Sequence, residues 1–159
     1  MPDTTGKRHP TLEHLDALVG EWETEATHPL LPNITVHGRA TFAWLEGGFF
    51  LIWRAHHDHP DIPDSIAILG CEDSGEGAAA AATGDGCAMR YFDSRGVSRV
   101  YQLGADTGLW HWWRDWPGFS QRFTGTFSDD GDTITSSGQL SEDGSTWNPD
   151  LQIAYKRVR

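Results

Sequence analysis

Residues 87–127 read CAMRYFDSRGVSRVYQLGADTGLWHWWRDWPGFSQRFTGTF, and their rhythm decides the fold class. Runs rich in aromatic and β-branched residues, at 87–93, 97–103, 109–115 and 119–127, are cut by Ser94-Arg95-Gly96, Asp106-Thr107-Gly108 and Trp116-Pro117-Gly118. Each breaker carries a glycine able to take the positive φ of a tight hairpin, so the runs read as consecutive antiparallel strands. Working outward, Glu46-Gly47-Gly48, Asp129-Asp130-Gly131 and Asp143-Gly144 repeat the device, and further strands are expected at 21–28, 34–44, 48–57, 65–71, 132–140 and 146–157. A short helix over Leu12 to Val19, capped by Thr11 and apolar along Leu12, Leu15, Leu18 and Val19, precedes them. Ten strands in a meander with one plugging helix predict an all-β, closed up-and-down barrel, because closure removes exposed sheet edges.

The chain has 159 residues, enough for one core: a single domain over 11–159 is expected, with Met1 to Pro10 as a disordered N-terminus. Against 12 basic residues stand 23 acidic ones, a net charge of −11 that repels phosphate backbones and anionic headgroups. Neither nucleic acid nor membrane is therefore expected as a partner, and a homodimer stays open. No apolar run reaches the roughly 18 residues of a membrane span, and the polar N-terminus does not read as a signal peptide, which points to a cytoplasmic protein. In that compartment Cys71 and Cys87 are expected as free thiols, although they flank one loop and a bridge between them stays open. That loop, Asp73 to Gly86, is a Gly/Ala stretch expected to be mobile.

Alternation assigns the interior. Glu21, Glu23 and Glu25 must face water, which sends Trp22, Thr24, Ala26 and His28 inward. A two-residue turn at Glu46-Gly47 pairs Trp44 with Phe49 and puts Phe42, Leu51, Trp53 and His57 on the same face. The turn at Ser94 to Gly96 gathers Met89, Tyr91, Val97, Arg99 and Tyr101. By the same parity Trp110, Trp112 and Arg114 join Phe119, Gln121, Phe123 and Phe127, and Leu151, Ile153, Tyr155 and Arg157 face inward from the last strand. This interior holds His28, His57, Tyr91, Arg99, Tyr101, Arg114, Gln121 and Tyr155 among aromatics. An unpaired buried polar group costs about 1–3 kcal/mol, so the set must pair within itself or line a cavity that holds water or a ligand.

Gly20-Glu21-Trp22, straight after a helix and opening the first strand, resembles the Gly-x-Trp signature of the calycin superfamily, the barrels of lipocalins, fatty-acid-binding proteins and nitrobindins. The resemblance implies that Trp22 closes one barrel end under an arginine from the last strand, here Arg157. The strand count is similar to the fatty-acid-binding and nitrobindin-like branch. The segments Leu15 to Pro29, Gly38 to His57, Tyr91 to Tyr101 and Arg114 to Thr133 further resemble an uncharacterised family of small, largely actinobacterial proteins. Nitrobindins hold haem through a histidine of the final strand, and this chain has none between Trp147 and Arg159, leaving only His28 or His57 for such a role. No cofactor is assigned.

His56-His57-Asp58-His59 with Asp61 and Asp64 has metal-ligand chemistry, but Pro60 and Pro63 make the stretch a turn, and no metal is assigned to it. Gly-x-Ser-x-Gly, phosphate-loop and Cys-x-x-Cys patterns are absent. The reading that remains first is a binding protein for a small hydrophobic, anionic ligand such as a fatty acid or aromatic acid. Trp44, Phe49, Trp53, Trp112, Phe123 and Tyr155 would supply apolar contact. Arg99, Tyr91, Tyr101, Arg114, Gln121 and His57 would supply polar contact. The alternatives are an enzyme using the same cavity for acid–base isomerisation or cyclisation, with His28, His57 and Tyr91 as its candidate catalytic groups, and, second, the haem-binding protein that the nitrobindin resemblance implies.

Overall fold

The computed structural model describes residues 8–72 and 86–159; residues 1–7 and the Gly/Ala segment expected to be mobile, but for Gly86, lie outside them. Of the segment 1–10 expected to be disordered, Arg8, His9 and Pro10 are among the described residues. Helix α1 spans Pro10–Leu15, with Pro10 at its first turn and the His9 ring accepting from the Thr11 N–H, so the cap is His9 and not Thr11. A 3-10 turn, Asp16–Leu18, continues it. The change of pitch rotates Val19 off the buried stripe: Leu12, Leu15 and Leu18 are buried, whereas Val19 is exposed.

Ten strands follow: β1 (Gly20–Thr27), β2 (Val36–Trp44), β3 (Phe50–His57), β4 (Ser65–Cys71), β5 (Cys87–Asp93), β6 (Ser98–Asp106), β7 (Leu109–Arg114), β8 (Ser120–Phe127), β9 (Thr133–Ser141) and β10 (Asn148–Arg157). Each pairs antiparallel with the next, and β10 closes on β1 through Trp22 opposite Arg157, a closed up-and-down barrel as the turn rhythm predicts. No helix of the described residues is long and apolar enough to cross a membrane.

One barrel end is plugged. The Trp22 indole donates to the Leu18 carbonyl at 2.8 Å, and the Arg157 guanidinium lies 4.2 Å over its ring. Arg157 also donates to the carbonyls of Val19, Ala17 and Gly131 at 2.8, 2.9 and 3.1 Å. Gly20 has φ +134°, and a Cβ there would stand 2.9 Å from the Arg157 Nη1, so the glycine before Trp22 is required by both backbone and space. Above the plug, Phe42, Trp53, Trp110, Trp112 and Phe123 stack into one aromatic layer, with Trp110 and Trp112 at 4.3 Å and Trp112 and Phe123 at 5.1 Å between centroids.

Two expectations fail in their register. The β2–β3 connection is longer than a two-residue turn: Leu45 bonds Phe50 across it, Gly47 and Gly48 both take positive φ, and Trp44 faces Leu51. The slip is two residues, so the inward parity of β3 survives, but Phe49 is expelled into the exposed turn. The cysteines are also not free thiols. Cys71 and Cys87 are direct cross-strand neighbours of β4 and β5, and they are joined as a disulfide. Compartment statistics carry no information about that register.

Candidate functional site

A cavity of about 490 Å³ occupies the barrel between the aromatic layer and the end opposite the plug. Strand alternation brings Trp53, His57, Tyr91, Arg99 and Tyr101 onto its wall. Trp112, Gln121, Phe123 and Tyr155 join them, as read from the sequence. Its mouth is ringed by the segments after β1, β3 and β7, through His28, Leu30, Ile62 and Phe119.

Three expected contributors are elsewhere. Phe49 sits in the β2–β3 turn. Trp44 belongs to the plug end, where its indole donates to Asp16 at 2.8 Å and the Arg8 guanidinium covers its ring at 4.4 Å. Arg114 follows inward parity but lies at the end of β7, where it turns over the Trp116 ring at 4.5 Å and off the cavity wall.

The residue that sequence parity missed is Asp150. Leu151 facing in should put Asp150 out, but the pairing of β10 with β9 shifts between Pro149 and Gln152, and this bulge turns both side chains to the cavity. Pro149 was the available signal, since a proline inside a strand marks an edge or a bulge. Asp150 anchors a chain of hydrogen bonds. Gln121 donates from Nε2 to Asp150 Oδ2 at 3.1 Å, and His28 Nε2 stands 2.9 Å from Asp150 Oδ1. The Leu30 N–H donates to His28 Nδ1 at 3.1 Å, which places the ring proton on Nε2, pointing to the carboxylate. Both ring nitrogens are thereby engaged, and His28 has no lone pair for a haem iron. On the other side, Tyr101 and the Arg99 guanidinium both donate to Gln121 Oε1, at 2.9 and 3.1 Å.

No carboxylate of the described residues lies within ion-pair distance of Arg99, which instead stands 5.1 Å from the Phe119 ring. The three phenols stay protonated. Burial raises Tyr155 and Tyr101 above the ordinary phenol range, and burial plus a hydrogen bond to Asp93 raises Tyr91. Burial also lowers His57, keeping that imidazole neutral, and its Nδ1 is buried with no hydrogen-bond partner, as is the Trp53 indole N–H. The other histidines of the His56–His59 run do not converge with it: His56 bonds Asp64 and Asp58 at the exposed strand end, and His59 accepts from the Asp61 N–H. The wall can thus donate hydrogen bonds, and of its two guanidiniums Arg95 is paired with Asp93 whereas Arg99 has no ion-pair partner among the described residues.

The mouth has its own ionic lock. Asp93 accepts from Tyr91 at 2.8 Å, from Arg95 Nη2 at 2.7 Å and from the Arg95 N–H at 2.9 Å. Burial opposes its charge, but these bonds prevail and hold the carboxyl down at about 2. An unfolded chain therefore takes up this proton first as pH falls. The stabilisation is whole above about pH 4 and lost as pH drops through about 2, and it amounts to about 1–2 kcal/mol once solvent screening at Arg95 is allowed for. Asp93→Asn is expected to be less stable than wild type by that amount near pH 6, with the gap closing near pH 2.5; denaturant titrations showing a gap independent of pH would refute the lock.

No protein-family model and no curated sequence matches the chain. Among solved structures it is similar to Rv2717c from M. tuberculosis, with a TM-score of 0.62 at 14% identity over 96% of this chain and 100% of that one. It is also similar to the S-type phycobiliprotein lyase CPES from Guillardia theta, with a TM-score of 0.54 at 9% identity over 92% of each chain. These likenesses are likenesses of fold. The chain has a lipocalin-like β-barrel.

Proposed function

We propose that the protein binds a small molecule with an apolar body and an anionic head, a fatty acid or an aromatic acid. The observation that carries this reading is Arg99, a cation on the cavity wall whose polar contacts, the Gln121 amide oxygen and the Tyr101 hydroxyl, are both neutral. A guanidinium on a largely apolar wall with no carboxylate in ion-pair range is costly, and a ligand carboxylate would offset that cost with charge-assisted bonds. Tyr101 beside it donates in the same direction, and Trp53, Met89, Trp112 and Ile153 would take the apolar body. Asp150 does not compete for Arg99, because its two oxygens are committed to Gln121 and His28. The Trp22–Arg157 plug also supports placing the chain among the calycins.

A long-chain fatty acid and its methyl ester separate the head from the body. The acid is expected to bind at least about tenfold tighter, on the scale of a hydrogen bond to a charged group. Equal affinities would remove the anionic head from the reading, and no binding of either, with a bare protein mass in native mass spectrometry, would remove the binding function. Acid–base catalysis is the second reading, favoured by the neutral, unpartnered His57 Nδ1. Recovery of every bound compound chemically unchanged eliminates it.

A further inference from the structure

At the plug end, three metal-ligating side chains meet that the cavity does not use. The ligand atoms of His9, Cys71 and Cys87 all lie within 4.8 Å of one another, and Cys87 Sγ is 3.7 Å from His9 Nδ1. Tetrahedral zinc, with bonds of about 2.3 Å to sulfur and about 2.0–2.1 Å to nitrogen, sets neighbouring donors about 3.5–3.8 Å apart. The histidine is therefore already at coordinating separation from one sulfur.

We propose that opening the Cys71–Cys87 bridge creates a site for a thiophilic divalent cation, zinc foremost, held by both sulfurs and the His9 imidazole. A dithiol reductant supplies two electrons and two protons, becoming a disulfide itself, while the Cys71–Cys87 bond breaks to two thiols. Metal binding then displaces both thiol protons to solvent, and neutral His9 donates a nitrogen lone pair. The fourth position is left to water. If His9 ligates through Nδ1, the metal replaces the Thr11 N–H now bonded there, which couples the site to the start of α1. The bridged and metal-bound forms exclude each other, since the same sulfurs serve both.

The test uses the full chain, reduced with a phosphine and titrated with Co²⁺ as a coloured probe. Reduced wild type is expected to take up one equivalent with thiolate-to-cobalt charge-transfer absorption, bleached by Zn²⁺, and the unreduced protein is expected to show none. His9→Ser keeps a good helix cap but removes the imidazole, and should weaken binding by about tenfold or more, since even an outer-sphere partner is worth that much. Absence of the thiolate band in the reduced protein, or equal affinity in His9→Ser, overturns the proposal. Loss of the β-sheet circular dichroism on reduction alone overturns it too, because the site needs the barrel to hold the three donors together.

Discussion

Arg157→Ala is expected to destabilise the barrel by about 3 kcal/mol. The guanidinium covers the Trp22 ring at 4.2 Å and donates to the carbonyls of Ala17, Val19 and Gly131, while its Nε stands 3.3 Å from Asp132 Oδ1. A cation–π contact contributes about 0.5–2 kcal/mol, and a hydrogen bond to a charged donor about 1.5–3. The side chain is 24% exposed, so water can recover part of the loss and the sum is not reached. Arg157→Lys should recover little, because one ammonium cannot fork across three carbonyls and lie flat on an indole. Denaturant unfolding of both variants decides the matter. A loss below about 1 kcal/mol in Arg157→Ala would mean that Leu12, Leu15 and Leu18, with the Trp22 and Trp44 indole bonds, hold the helix without the arginine.

Arg99→Ala is expected to weaken binding of the fatty acid by about 1.5–3 kcal/mol, roughly tenfold to a hundredfold in Kd, while leaving the methyl ester unchanged. The contrast matters because Arg99 also supports Gln121, whose amide links it to Asp150. Should the variant lose affinity for acid and ester alike, the arginine acts by shaping the wall and not by pairing with a head group. Unchanged affinity for the acid would sink the clamp and leave Tyr101 or the unpartnered Trp53 and His57 groups as the polar contacts. Both titrations can be followed through the tryptophans, since Trp53 and Trp112 line the cavity.

Much of the site was legible because its residues obey local rules. Turn glycines such as Gly96 set the hairpin, the hairpin sets the pairing of Tyr91 with Arg99, and alternation then carries Tyr101, Trp112, Gln121 and Phe123 to one side. The errors lie where a strand departs from regular pairing. Phe49 was misplaced by two extra residues in a turn, and Arg114 followed the rule but sat too close to a strand end to remain on the wall. Asp150 was missed because a bulge cancels alternation over its own length.

From sequence alone, then, came the strand order, the closed barrel and the face each strand turns inward, since these follow from turn residues and alternation along the chain. Only the tertiary structure decided which of those residues act together. Gln121 and His28 reach Asp150 across 29 and 122 positions of chain, and Cys71 meets Cys87 and His9 at an end no local pattern specifies. Contacts of that kind depend on the register of distant strands, which is set by how the whole barrel closes and packs.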